Sequence, residues 1–169
     1  AVLTVQEGAV ISGYASLFGK KDQGGDVVQP GAYAASLKTL AARDRRVKML
    51  WQHDPAQPIG VWDEVREDAR GLFVKGRILT EVDKGREAAA LIGAGAIDGL
   101  SIGYRTVKAT KNEKGQRLLK ELELWEVSLV TFPMLPEARV GAKADASGAD
   151  PMQDLAEALE AARLELAER

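Results

Sequence analysis

At 169 residues, 46% of them apolar and 5% aromatic, the chain is long enough for one domain with an aliphatic core and a short appendage. Its 23 basic and 25 acidic side chains are well mixed and leave a net charge of −2, so nothing in the charge balance points to nucleic acid or to an anionic membrane. The absence of cysteine rules out disulfides, thiolate metal sites and cysteine nucleophiles; no apolar run nears the ~20 residues of a membrane-spanning helix, and Ala1 to Gly8 lacks the basic-then-apolar order of a signal peptide.

A soluble, intracellular protein is therefore the expectation, and a start at Ala1 in place of Met is read as processing or trimming. Ala9 to Ser16 reads as a first strand, followed by a loop with turn signals at Gly24-Gly25-Asp26 and Pro30-Gly31. Tyr33, Leu37 and Leu40 recur at helical spacing and predict a short amphipathic helix entered behind Pro30. Arg45 to His53 alternates like a strand, with Val47, Met49, Trp51 and His53 on one face, and Asp54-Pro55 is expected to end it. Strands over Ile59 to Glu67 and Gly71 to Leu79 flank a hairpin turn, Glu67-Asp68-Ala69-Arg70-Gly71.

Thr80 and Asp83 stand three apart ahead of a helix running to about Ala96, with Ala88, Leu91 and Ile92 as its apolar face. Asp98 to Arg105 is a turn running into a strand, Asn112 to Gly115 reverses the chain, and a long strand follows to Pro133. About seven strands and two helices predict a mostly β fold, an antiparallel, closed or nearly closed barrel with flanking helices. After Val140 the small, polar stretch Gly141 to Asp150 reads as a linker. Beyond it Pro151 opens a predicted amphipathic helix whose stripe is Leu155, Leu159, Ala162 and Leu166. The expected organisation is a domain over 1–142 and a linker with a helical tail over 143–169.

Few residues are equipped for chemistry. His53 is the one histidine, which with the lack of cysteine all but closes a zinc site, and no GxxxxGK[ST] loop is present; no metal or cofactor is expected. His53 stands at a strand exit, where a solvated histidine is also commonplace. Ser101 lies between Leu100 and Ile102, with Gly99 and Gly103 on its own face, so its hydroxyl is bare and a substrate backbone has room to approach. A serine between two bend glycines at a barrel corner fits the same pattern. Glu126 shares a predicted strand face with Leu122, Leu124, Ser128 and Val130, where a carboxylate needs a partner to offset its desolvation. That partner is a histidine or a nearby Lys or Arg, unless the face is open to solvent there.

The ordered motifs GYASLFG, GDVVQPGAY, MLWQHD, PIGVWDEV, GLSIGY and ELWEVSLVTFPMLPEARV, spread over Ile11 to Val140, resemble the prohead proteases of tailed phages and gene transfer agents. The resemblance implies a herpesvirus-assemblin-like barrel and a serine endopeptidase with Ser101 as nucleophile, His53 as base and Glu126 as the acidic third member, Glu123 being the alternative on the opposite strand face. It implies an oxyanion hole in the loop Phe132 to Glu137, with the Met134 and Leu135 amides as candidates because Pro133 and Pro136 have no N–H. The implied substrates are capsid precursor and scaffold segments, and the chain's own tail. The implied setting is an assembling procapsid in the bacterial cytoplasm, with self-association into a homodimer or larger species and with no nucleic-acid or membrane partner. Two rivals remain: a non-catalytic assembly or scaffold module on the same fold, and an esterase or Ser/Lys hydrolase that would survive loss of His53.

Overall fold

The computed structural model describes residues 10–141, so the expected helical tail lies outside the described residues. Within them, seven strands and two helices are arranged as β1 (Val10–Leu17), β2 (Asp26–Val28), α1 (Ala34–Ala42), β3 (Lys48–Trp51), β4 (Asp54–Glu67), β5 (Gly71–Ile78), α2 (Asp83–Gly93), β6 (Gly99–Lys111) and β7 (Arg117–Val130). β7 is the hub: β6 runs antiparallel along its whole length, while β2 and β3 share its other side, β2 against Arg117–Leu119 and β3 against Glu126–Leu129. The sheet continues through β4 and β5 to β1.

Two findings correct the expected antiparallel barrel. The sheet is mixed, because β2 and β3 both pair parallel with β7. It is also a curled half-barrel whose ladder does not close. Its edges, β1 and β6, form no ladder with each other; the segment Arg139-Val140 touches each by an isolated bridge, Val140 to Gly13 and Arg139 to Gly99. The parallel pairings follow from two crossovers that period and turn signals do not reveal, since a parallel neighbour is set by where a helix returns the chain.

The core is aliphatic, as the composition requires: Ile11, Met49, Ile59, Leu72, Val74, Leu100, Leu122, Leu124, Val127 and Leu129 are buried together with Tyr33 and Trp62. Trp62 also donates its indole N–H to the Val127 carbonyl at 3.2 Å, so its one polar atom is satisfied. Glu67, at the end of β4, ties down the turn that leads into α1, accepting from the Gly31 and Tyr33 amides at 2.5 and 3.0 Å. At α2 the expected capping pair does not form: Val82 is the N-cap, with no side-chain cap bond, and Leu91 is exposed while Gly85 and Ala88 are buried.

Candidate active site

His53 does not end a strand. It is the second central residue of the β3–β4 hairpin, in which Trp51 faces Asp54, and both Gln52 (φ 51°) and His53 (φ 61°) take positive φ. Positive φ at both positions is the mark of a type I′ turn, whose twist matches the flanking strands. Non-glycine residues in that region carry strain that the surroundings must offset. Gln52 is accordingly clamped to the end of β7: its amide donates to the Leu129 carbonyl at 2.9 Å, and its side-chain NH₂ donates to Thr131 Oγ1 at 2.7 Å. The His53 amide donates to Ser128 Oγ at 3.0 Å.

Glu126 reaches this turn because β7 changes phase. The register passes from Tyr104–Leu124 directly to Gly103–Glu126, leaving Trp125 as an extra, exposed residue. The bulge flips every later side chain to the other face. The expected single face of Leu122, Leu124, Glu126, Ser128 and Val130 is thereby corrected: Leu122, Leu124, Val127 and Leu129 line the core, while Glu126 and Ser128 project from the opposite face. The Glu126 carboxylate is buried yet satisfied twice, by the His53 ring at Nδ1 and by the Ser128 hydroxyl, which donates to Oε2 at 2.6 Å. Glu123, the alternative, is committed elsewhere, pairing with Arg105 on an exposed face.

The Glu126 hydrogen bond raises the His53 pKa above the ordinary histidine value, against the opposing pull of partial burial. With Nδ1–H directed at the carboxylate, Nε2 is the nitrogen left with a lone pair, and it has no hydrogen-bond partner among the described residues.

Ser101 sits on β6 directly opposite Ser128, and Gly103 directly opposite Glu126, so these four residues share one face. Ser101 is 5% exposed, and no hydrogen bond among the described residues joins its hydroxyl to His53. Gly103 is required by space. A Cβ there would lie 2.2 Å from Glu126 Oε1, so the carboxylate occupies the volume that any side chain would need. The loop after β7 passes beside Ser101: Pro133 packs over Gly99, and Met134 and Leu135 line a cavity of about 100 Å³ together with Leu100, Ser101 and Ile102. Among the described residues neither the Met134 nor the Leu135 amide donates a hydrogen bond, whereas their carbonyls accept from Gln23 and Ala138.

The sequence pattern sets Gly103 beside Ser101 and Ser128 beside Glu126 but not the roles found here, Ser128 bonding Glu126 and the His53 amide and Gly103 leaving the carboxylate its volume. Ser128 and Gly103 each lie two residues beyond a singled-out residue on the same strand, Glu126 and Ser101 respectively, and that spacing was the available signal.

Residues 2–153 match the family model described as caudovirus prohead serine protease. The prohead protease of Enterobacteria phage HK97 is 31% identical over 150 residues, covering 86% of this chain and 65% of the relative, so the chain spans slightly less than two thirds of that protein's length. Among solved structures, the bacteriophage T4 capsid assembly protease superposes with a TM-score of 0.60 at 18% identity, over 72% of this chain and 80% of that one. The KSHV protease, solved with a hexapeptide phosphonate inhibitor, gives 0.55 at 11% identity, over 91% and 76%. These two likenesses establish a shared fold.

Proposed function

The chain belongs to the caudovirus prohead serine protease family, and from that premise we propose that it is a serine endopeptidase that cleaves capsid precursor and scaffold segments inside an assembling procapsid in the host cytoplasm. The observation that carries the reading is the contact of His53 Nδ1 with the buried Glu126 carboxylate, on the sheet face that also holds Ser101.

In this mechanism Nε2 of His53 takes the Ser101 proton as the hydroxyl attacks the scissile carbonyl, then returns it to the leaving amine. Glu126 keeps the imidazole in one tautomer and stabilises its cation, and Ser128 holds both the carboxylate and the backbone of the histidine turn. The free amides of Met134 and Leu135 are the proposed oxyanion donors. The substrate adds as a strand to the free edge of β6, where main-chain groups beyond Leu100 lack a neighbouring ladder among the described residues. Ser101 and His53 close to hydrogen-bond distance when substrate is seated or when copies associate, since catalytic hydrogen bonds are often long in the free enzyme. Residues 1–142 form the protease unit. The segment 143–169 is an appendage whose Gly/Ala-rich linker is a site of self-cleavage.

Co-expression with capsid precursor tests this. Wild type is expected to yield processed capsid protein, and Ser101→Ala and His53→Ala only full-length precursor. Processing that persists in Ser101→Ala would leave the non-catalytic assembly module as the reading. Loss in Ser101→Ala but not in His53→Ala would indicate a Ser/Lys hydrolase.

A further inference from the structure

A second concavity, larger than the cavity beside Ser101, is a groove of about 700 Å³ between α1 and the β6–β7 pair, with Leu40, Leu124, Val107 and Trp125 contributing apolar surface. Val107 is 46% and Trp125 54% exposed, which is unusual for two large apolar side chains lining one concave surface. Its rim carries Arg43, Arg45, Arg46 and Lys48, none of which takes part in an ion pair among the described residues. The two acids lining it are already engaged, Glu121 by Lys108 and Glu123 by Arg105. Apolar surface ringed by unpaired cations fits a segment with an apolar stripe and an acidic remainder.

The chain itself contains such a segment. Residues 150–169 hold six acidic side chains against two arginines, and the stripe of Leu155, Leu159, Ala162 and Leu166 predicts an amphipathic helix too short to be stable alone. Its reach is sufficient. Gly99 is bridged to Arg139 at one end of β6, and Val107 stands eight residues along that strand, or ~27 Å at the rise of a strand. The linker 142–149 extends up to ~29 Å, and a helix over 150–169 adds ~30 Å.

We propose that this groove is the docking site for the chain's own segment 150–169, its leucine stripe laid on Trp125 and Val107 and its carboxylates against the arginine rim. Lys48 is the register neighbour of Glu126, so one end of the groove adjoins the candidate active site.

The lack of native cysteine allows a direct test by spin labels at Ala109→Cys and Ala161→Cys, on exposed β6 beside the groove and on the outward face of the predicted helix. The full chain is used, in a Ser101→Ala background so that the segment is not cut, and with unlabelled protein in excess so that only distances within one chain are read. The expected result at low salt is a narrow distance population under ~30 Å. Arg43→Glu, Arg46→Glu and Lys48→Glu together reduce that population about tenfold or more. Adding Asp154→Lys and Glu165→Lys, which flank the leucine stripe, restores it. A broad distribution in the parent protein overturns the proposal, as does a narrow one that charge reversal leaves unchanged. An unaltered thermal melt separates loss of docking from loss of the fold. Because no readout is catalytic, failure here leaves the protease reading untouched.

Discussion

A single methyl group at Gly103 interrogates the site without removing any of its polar groups. In Gly103→Ala the new Cβ would stand 2.2 Å from Glu126 Oε1, 2.7 Å from its Cδ and 2.8 Å from its Cγ. Ordinary carbon–oxygen contact needs ~3.4 Å or more, so the carboxylate must retreat by roughly 1 Å. It cannot do so and keep both of its donors, the His53 ring and the Ser128 hydroxyl. Overpacking of this kind costs about 1–3 kcal/mol of stability. The catalytic cost is larger, because a displacement of this size at a positioned group lowers kcat by ~10²-fold and loss of the correct histidine tautomer by up to ~10⁴-fold. The assay is kcat and KM on a peptide spanning the capsid cleavage site, together with NMR titration of the single imidazole. Expected are a fall in kcat with KM nearly unchanged and a His53 pKa shifted down toward 6.5, the value of an unperturbed histidine. A variant with wild-type kcat and an unmoved imidazole titration would refute the idea that Glu126 acts through the volume Gly103 leaves vacant.

The raised His53 pKa sets a direction for pH. Only the neutral ring can accept the serine proton, so the acid limb of kcat/KM is expected above pH 6.5, and Glu126→Gln moves that limb to lower pH while reducing the plateau. The same contact stabilises the fold at pH values below 6.5 and ceases to do so as pH climbs past the raised value, which urea melts across pH will register. Ser128→Ala removes an acceptor from the His53 amide and a donor from Glu126 at a fully buried position; a loss of about 1–3 kcal/mol in chemical denaturation and a 10- to 100-fold drop in kcat are expected, with KM changed little. Away from the site, the Tyr14 hydroxyl, the Arg70 and Gly71 amides and Arg66 hold the Asp68 carboxyl down to about 2 from 3.8. Asp68→Asn is expected to cost under about 1 kcal/mol at pH 7, because the group is solvent-screened. That difference disappears as pH falls from 3.8 to about 2, and melting curves for the two proteins that stay apart there would contradict it.

The residue types alone determined a good deal. With no cysteine and one histidine, composition narrowed the candidate chemistry to a few side chains, and two-residue alternation marked most strand segments. Periodicity also placed both helices to within a few residues. β2 was missed, since three residues are too few to show alternation and its pairing partner lies some ninety residues away. What the linear pattern could not carry was phase and direction. One unpaired residue, Trp125, inverts the faces of β7, so the carboxylate read as a core residue is presented to the histidine on the other side. The parallel seating of β3 on β7, in turn, brings the His53 turn against Ser128. Both are consequences of how strands meet, because a bulge is defined by the partner strand's register and a parallel neighbour by the path of the intervening chain. Side-chain chemistry is written residue by residue, whereas the coincidence of His53, Glu126, Ser128 and Ser101 on one face exists only once the sheet has been assembled.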